Sequence, residues 1–124
     1  MGEHRLTLPW VPPESLRGNS RAHHMAKYHA AFRMRDDALA LTKEVGHPKV
    51  GPFQKAKITF TFHHDRKIDA DNLAIGMKSF VDGYLVDSGA VPDDDPDHVV
   101  YGEHRFVICA KNESRTEVLI EEVA

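Results

Sequence analysis

The sequence predicts a single α/β (α+β) domain over residues 1–124: a small mixed sheet of about four strands with two main helices packed on it. Three observations carry this expectation. Ile58, Phe60 and Phe62 alternate with Thr59 and Thr61, the period of a strand with one buried face. Leu73, Met77, Phe80, Val81, Tyr84 and Leu85 fall on one broad arc when successive residues are turned by about 100°. A length of 124 residues suits one domain with a modest core, and not two.

Taken in order, Arg5–Leu8 alternates weakly and reads as a short strand that Pro9 stops. P-W-V-P-P-E-S-L-R-G-N-S is a loop, with proline holding an extended path. Ser20, or Asn19 before it, caps a long helix from about Arg21 to Glu44, which Gly46 and Pro48 end. Its apolar residues Met25, Ala26, Tyr28, Phe32, Ala38, Leu39 and Leu41 form a broad, imperfect stripe. Lys55–His64 is the clearest strand, and Asp69–Asp87 a second helix interrupted by glycines. G-A-V-P-D-D-D-P-D is a loop, since two prolines and four aspartates suit neither regular structure. Two further strands, Val99–Cys109 and Arg115–Val123, are joined by a K-N-E-S turn as a long antiparallel hairpin.

Composition narrows the class. An apolar fraction of 41% and a charged fraction of 28% exclude wholesale disorder. No apolar run approaches the roughly 20 residues needed to cross a bilayer, and the N-terminus lacks the apolar core of a secretory signal. The single Cys109, in the apolar setting F-V-I-C-A, cannot pair within the chain and reads as a buried strand position. These features predict a cytoplasmic protein, without a membrane partner. A net charge of −3 argues against a nucleic-acid binder, but its distribution does not: residues 1–68 carry +6 and residues 69–124 carry −9. A basic half can attract phosphate while a carboxylate-dense half gathers cations; equally, the two can interleave on a solvated surface.

The chemistry concentrates at R-K-I-D-A-D-N-L-A-I-G-M-K, Arg66 to Lys78. In a regular helix Asp71, Ile75, Lys78 and Asp82 lie within roughly 60° of one another. A surface ion-pair ladder accounts for that stripe at a few tenths of a kcal/mol per pair. Asp69 and Asp71, two apart, would diverge within a helix, but at a strand-to-helix junction they can converge. An N-cap explains one aspartate, at about 1 kcal/mol; two aspartates with Asn72 exceed what capping requires. Downstream, Asp93, Asp94, Asp95 and Asp97 crowd one loop, where carboxylates repel unless cations offset them. Folded back over the helix start, such a loop would complete an all-oxygen site suited to Mg²⁺ or Mn²⁺.

D-A-D-N at Asp69–Asn72, Lys78 followed by Asp82, and G-A-V-P-D-D at Gly89–Asp94 together resemble the signature of the RusA family of Holliday junction resolvases. The upstream P-P-E-S-L-R-G-N resembles that family's Pro-Pro loop and its Asn, here Pro12, Pro13 and Asn19. The resemblance covers about residues 8–100; its D-x-D-N to D-D portion is the specific part. It departs at Asp71 to Lys78, seven residues where the family pattern has four, three being added within A-I-G, and in the net negative charge.

The resemblance implies a RusA-like fold and a Mg²⁺-dependent endodeoxyribonuclease acting as a homodimer, nicking opposite strands of four-way junction DNA in recombination or repair. It implies a bacterial or phage-infected cell as the setting. Asp69, Asp71 and Asp94 match the metal-binding aspartates, and Lys78 the lysine that stabilises charge on phosphate oxygens. Asp82, which can steady Lys78, and Asp93 and Asp95, which share the D-D-D run with Asp94, are further candidates for the metal or for supporting its ligands. Arg66 and Lys67, then Arg17, Arg21 and Lys27, are the candidate DNA-binding residues, although Lys and Arg are mostly solvated surface charges in any protein. The rivals are a non-catalytic DNA-binding module whose acidic loop meets a partner, and a metal-dependent nuclease acting on other branched DNA. His23, His24, His29, His63 and His64 match no zinc spacing.

Overall fold

The computed structural model describes residues 2–123. It is a mixed α+β domain with a five-stranded sheet: β1 (Glu3–Leu8), β2 (Ala56–His64), β3 (Val99–Tyr101), β4 (Arg105–Ile108) and β5 (Arg115–Glu122). The strand order is β1-β5-β2-β3, and β4 also pairs with β2, beyond β3 on the same edge. The sheet is thus four strands wide, as the sequence predicts, with one edge strand interrupted at Gly102–His104. β1 and β2 run antiparallel to the central β5, while β3 and β4 run parallel to β2.

The expected C-terminal hairpin does not form. β5 pairs with β1 and β2 and not with β4. The reason lies in burial. Thr116, Val118 and Ile120 of β5 are buried, so this strand takes the centre, whereas β4 is largely exposed and belongs at an edge. The K-N-E-S turn therefore passes around the end of β2. Cys109 N–H donates to His64 O (3.0 Å), His64 Nδ1 pairs with Ser114 Oγ (2.8 Å), and Asn112 takes the left-handed conformation (φ 70°). Cys109 itself is half-buried just past β4 and not inside a buried strand.

The long helix α1 spans His24–Thr42, shorter than predicted. Its cap is His23, whose Nδ1 accepts from Met25 N–H (3.2 Å); Ser20 instead closes a local turn by accepting from Ala22 N–H. Met34 and Ala38 bury, but Met25, Tyr28 and Phe32 are 45%, 60% and 63% exposed. These three lie about 130° around the helix from Met34 and Ala38 at 100° per residue, so the stripe read from sequence merges two faces. α1 packs mainly on the second helical stretch and not on the sheet.

That second stretch is not one helix. It divides into α2 (Ala70–Ile75), α3 (Lys78–Val81) and a π-helical continuation, Asp82–Asp87. The break falls at Gly76, where a Cβ would lie 2.7 Å from Pro12 Cβ, so the Pro-rich loop can approach only a glycine. At Gly83 a Cβ would sit 2.1 Å from Arg35 O, so α1 lies against bare backbone there. The predicted arc nonetheless holds. Leu73, Met77, Phe80, Val81, Tyr84 and Leu85 are all buried, with Ile58, Phe60, Phe62, Val118 and Ile120 from the sheet in the same core. Among the described residues no helix is long and apolar enough to cross a membrane.

Candidate functional site

β2 leads the chain from the core to Asp65–Ile68, and α2 starts immediately afterwards. Asp69 keeps extended geometry (φ −61°, ψ 123°) and caps α2, its Oδ1 accepting from Asp71 N–H at 2.9 Å. Capping uses one oxygen of Asp69. The Asp71 carboxylate, in the first turn, is exposed and accepts no hydrogen bond among the described residues. Both acids stand at the N-terminal end of α2.

The Pro-rich loop is tied to this junction. Gly18 N–H donates to Asn72 O (3.0 Å), and Arg17 Nε to Pro12 O (3.0 Å). One depression is consequently lined by Glu14, Arg17, Asn19, Arg66, Lys67, Asp69 and Asn72. Burial pulls the Arg17 guanidinium below its usual range, Glu14 opposes the fall, and the nearby charge of Arg66 adds to it. Crowded cations of this kind are relieved by an anion. Of the five predicted DNA-binding residues, three thus meet beside Asp69. Arg21 and Lys27 do not line this depression; the Lys27 Nζ donates to Ser20 O at 3.2 Å.

A second group forms around Lys78. Its Nζ donates to Asp82 Oδ1 (2.8 Å), one turn on, and to the Asp94 carboxylate of the acidic loop. Burial pulls the Lys78 ammonium down, but the hydrogen bonds to Asp82 and Asp94 outweigh it and the net shift is upward. The Lys78 hydrogen bond holds Asp94 below the ordinary carboxylate range. The three consecutive loop aspartates separate by what they touch. Asp93 Oδ1 accepts from Asp94 N–H (2.8 Å), and Asp95 Oδ1 meets Asp97 N–H and His98 Nδ1; Asp94 is the one that turns back to the helix. Arg35 of α1 binds both oxygens of Asp87 at 2.7 Å and lies 4.0 Å from Asp82.

Among the described residues no three His, Cys, Asp or Glu side chains converge closely enough to hold a metal ion. The expected set Asp69, Asp71 and Asp94 is therefore not gathered as a closed cage, because Asp94 is committed to Lys78. The donor chemistry does suit a hard divalent ion: every candidate side chain offers carboxylate oxygen, and Asp69 and Asp71 lie at the surface.

Two residues beside this group carry no signal in the sequence. Tyr101 and His104 line one cavity with Ala74, Ile75 and Lys78. Burial lowers the His104 imidazole, and the nearby charge of Asp71 partly opposes the fall, which sets Asp71 in the same neighbourhood. V-V-Y-G-E-H reads as ordinary strand; only the strand interruption, invisible to periodicity, turns His104 toward the site.

No protein-family model matches the chain, and no curated protein matches it.

Proposed function

We propose that the chain is a divalent-metal-dependent endodeoxyribonuclease acting on branched DNA, with four-way junctions as its substrate and two copies acting as a homodimer. One observation carries this reading: Lys78 joins Asp94 of the acidic loop to Asp82 on the helical stretch that Asp69 and Asp71 begin. Lys78 and Asp94, two of the residues that match the RusA-type signature, are thus in contact across sixteen positions of sequence, which supports the reading.

Asp69, Asp71 and Asp94 are the residues that would hold Mg²⁺ or Mn²⁺. When bound, such an ion activates water and stabilises the leaving oxygen of a phosphodiester. The chain's own groups do the rest. Arg17, Arg66 and Lys67 attract and orient the DNA backbone next to Asp69. Lys78, whose ammonium is held charged by Asp82 and Asp94, offsets charge that develops on the phosphate oxygens. The net reaction adds water across one P–O bond, leaving phosphate on one strand end and hydroxyl on the other. A two-fold dimer suits a two-fold junction, since one isologous interface sets the spacing of paired nicks.

The test is cleavage of a synthetic four-way junction in Mg²⁺, run beside three-way and linear duplex DNA and with the Asp71→Asn variant. Cutting confined to branched substrates and abolished by Asp71→Asn, with binding retained, is the expected outcome. Binding without cutting would point instead to a DNA-binding module, and preferential cutting of three-way DNA to another branched substrate. Wild-type rates in Asp71→Asn would sink the site. A monomeric mass by light scattering together with full junction resolution would overturn the dimer.

A further inference from the structure

The interruption between β3 and β4 has a chemical consequence. Tyr101 pairs with Ile58 and Arg105 with Thr61, so Phe60 N–H, between them on β2, faces no strand. His104 takes that place: Phe60 N–H donates to His104 Nδ1 at 3.1 Å. A ring nitrogen that accepts an amide hydrogen carries a lone pair, so in the neutral imidazole the proton sits on Nε2. The tautomer is thereby fixed by the backbone. The ring is also held in place, its centroid 5.2 Å from Phe60 and 6.0 Å from Tyr101.

The two ring nitrogens point in broadly opposite directions, so pinning Nδ1 on β2 turns the Nε2–H away from the strand. Nε2 makes no hydrogen bond among the described residues, and it is not among the buried polar atoms left without a partner. His104 lines the cavity with Lys78, Tyr101, Ile75 and Ala74. Two of those walls are apolar and open to solvent: Ile75 is 58% and Tyr101 47% exposed. A cation, an oriented neutral N–H donor and an exposed aromatic face around one hollow match the parts of a nucleotide, its phosphate and its base.

We propose that this cavity is a nucleotide subsite in which the His104 Nε2–H donates to a phosphate oxygen of the DNA and the Tyr101 ring stacks on an adjacent base. The assignment rests on the nuclease reading for the identity of the ligand as DNA, and it adds two residues, His104 and Tyr101, that neither the aspartate motif nor the basic loop contains. Its specific content is the tautomer. A neutral donor fixed on Nε2 contributes a directed hydrogen bond without adding net charge beside Asp71.

Two variants separate the ring's two tasks. In His104→Asn the side-chain oxygen can still accept from Phe60 N–H, but nothing reaches the position of Nε2. In His104→Gln the amide can reach the Nε2 position as a donor while the Nδ1 contact is lost. Binding is measured by fluorescence anisotropy with a labelled four-way junction in chelator, so that no cleavage is needed, and thermal melting reports the fold. The expected result is junction affinity about tenfold weaker in His104→Asn, which melts close to wild type, and near wild-type affinity in His104→Gln, which melts lower. Tyr101→Leu is expected to weaken binding by a similar factor. Wild-type affinity in His104→Asn overturns the subsite and leaves the nuclease reading standing if the same preparation of wild type cuts junctions. A wild-type protein that neither binds nor cuts branched DNA overturns both.

Discussion

Lys78 and Asp94 form an ion pair between the start of α3 and the acidic loop, and Asp82 shares the same ammonium. Ala90 and Val91 anchor the loop in the core, and the ion pair adds a tie by charge at its acidic end, where the Lys78 side chain remains 56% exposed. Solvent screening therefore limits its contribution to under about 1 kcal/mol. Asp94 is depressed below its ordinary value, so its share of stability is present above the unfolded carboxylate range near 4 and is lost as pH falls through the folded value. Lys78 is raised, so its share is present below about pH 10 and is lost only at higher pH. A double-mutant cycle of Lys78→Met and Asp94→Asn, followed by urea unfolding at pH 7, is expected to give a coupling of about 0.5 kcal/mol that shrinks as the pH is lowered below about 4. A coupling near zero at pH 7 would mean that the pair is not what joins them.

Gly83 makes a sharper prediction, because its neighbour is backbone. A Cβ there would lie 2.1 Å from Arg35 O, and neither the π-helical segment nor α1 can yield without moving Ala38, which is buried in the same contact. Gly83→Ala is expected to cost about 3 kcal/mol or more, read as a fall in urea midpoint, whereas Gly2→Ala, with nothing within 4 Å, is expected to be neutral.

The contrast between strand and helix shows what the sequence made legible. The alternation around Phe60 located β2 to within a residue, because a period of two survives any register. The apolar arc from Leu73 to Leu85 likewise named the buried face, although the helix carrying it is broken. The glycines marked the interruptions, but the division into three pieces and the π turn at Gly83 stayed hidden, because each glycine answers a close approach from elsewhere, Pro12 at Gly76 and Arg35 at Gly83. The same holds at the site. Lys78 and Asp82 are an i,i+4 pair that spacing predicts, and Asp69 as a cap follows from its place before an apolar run. His104 could not be read, since its role depends on an amide that a distant strand leaves open.

Tyr84 binds together three parts of the chain. Its hydroxyl lies 2.5 Å from His4 Nε2 and 2.7 Å from His47 Nε2, linking β1, the segment after α1 and the π-helical segment. A phenol has one proton, so with neutral imidazoles it donates to one ring and accepts from the other. Burial, then repulsion from His47, lowers the His4 imidazole. A base whose folded value is lowered takes up more protons when unfolded, so stability is full above about pH 6.5 and falls as pH drops below it. Thermal melting is therefore expected to drop between pH 7.5 and 5.5 in wild type and to drop less in His4→Gln, which keeps a donor for Tyr84 without a titrating ring. Tyr84→Phe, which strands two ring nitrogens, is expected to lose about 1–2 kcal/mol at pH 7.5. Equal pH slopes in wild type and His4→Gln would remove His4 from the account.

Arg17, Arg66 and Lys67 make the DNA reading quantitative without any cleavage. Each phosphate neutralised by a cation releases condensed counterions, so the logarithm of affinity falls linearly with the logarithm of salt, by about 0.9 per contact on duplex arms. Removing one contacting cation lowers that slope by about 1 and weakens binding to every sequence alike. Arg66→Ala and Lys67→Ala are each expected to flatten the salt dependence of junction binding by about that amount, and the double variant by about 2. Lys27 lies outside their depression, with its ammonium on Ser20 O, so Lys27→Ala is expected to leave the slope almost unchanged. Arg17 should behave differently from all three, since its Nε is held by Pro12 O and it supports the loop beside Asn72. Arg17→Ala is expected to lower both the slope and the melting temperature. Wild-type slopes for both Arg66→Ala and Lys67→Ala would place the phosphate backbone on another surface, and with it the approach of DNA to Asp69 and Asp71.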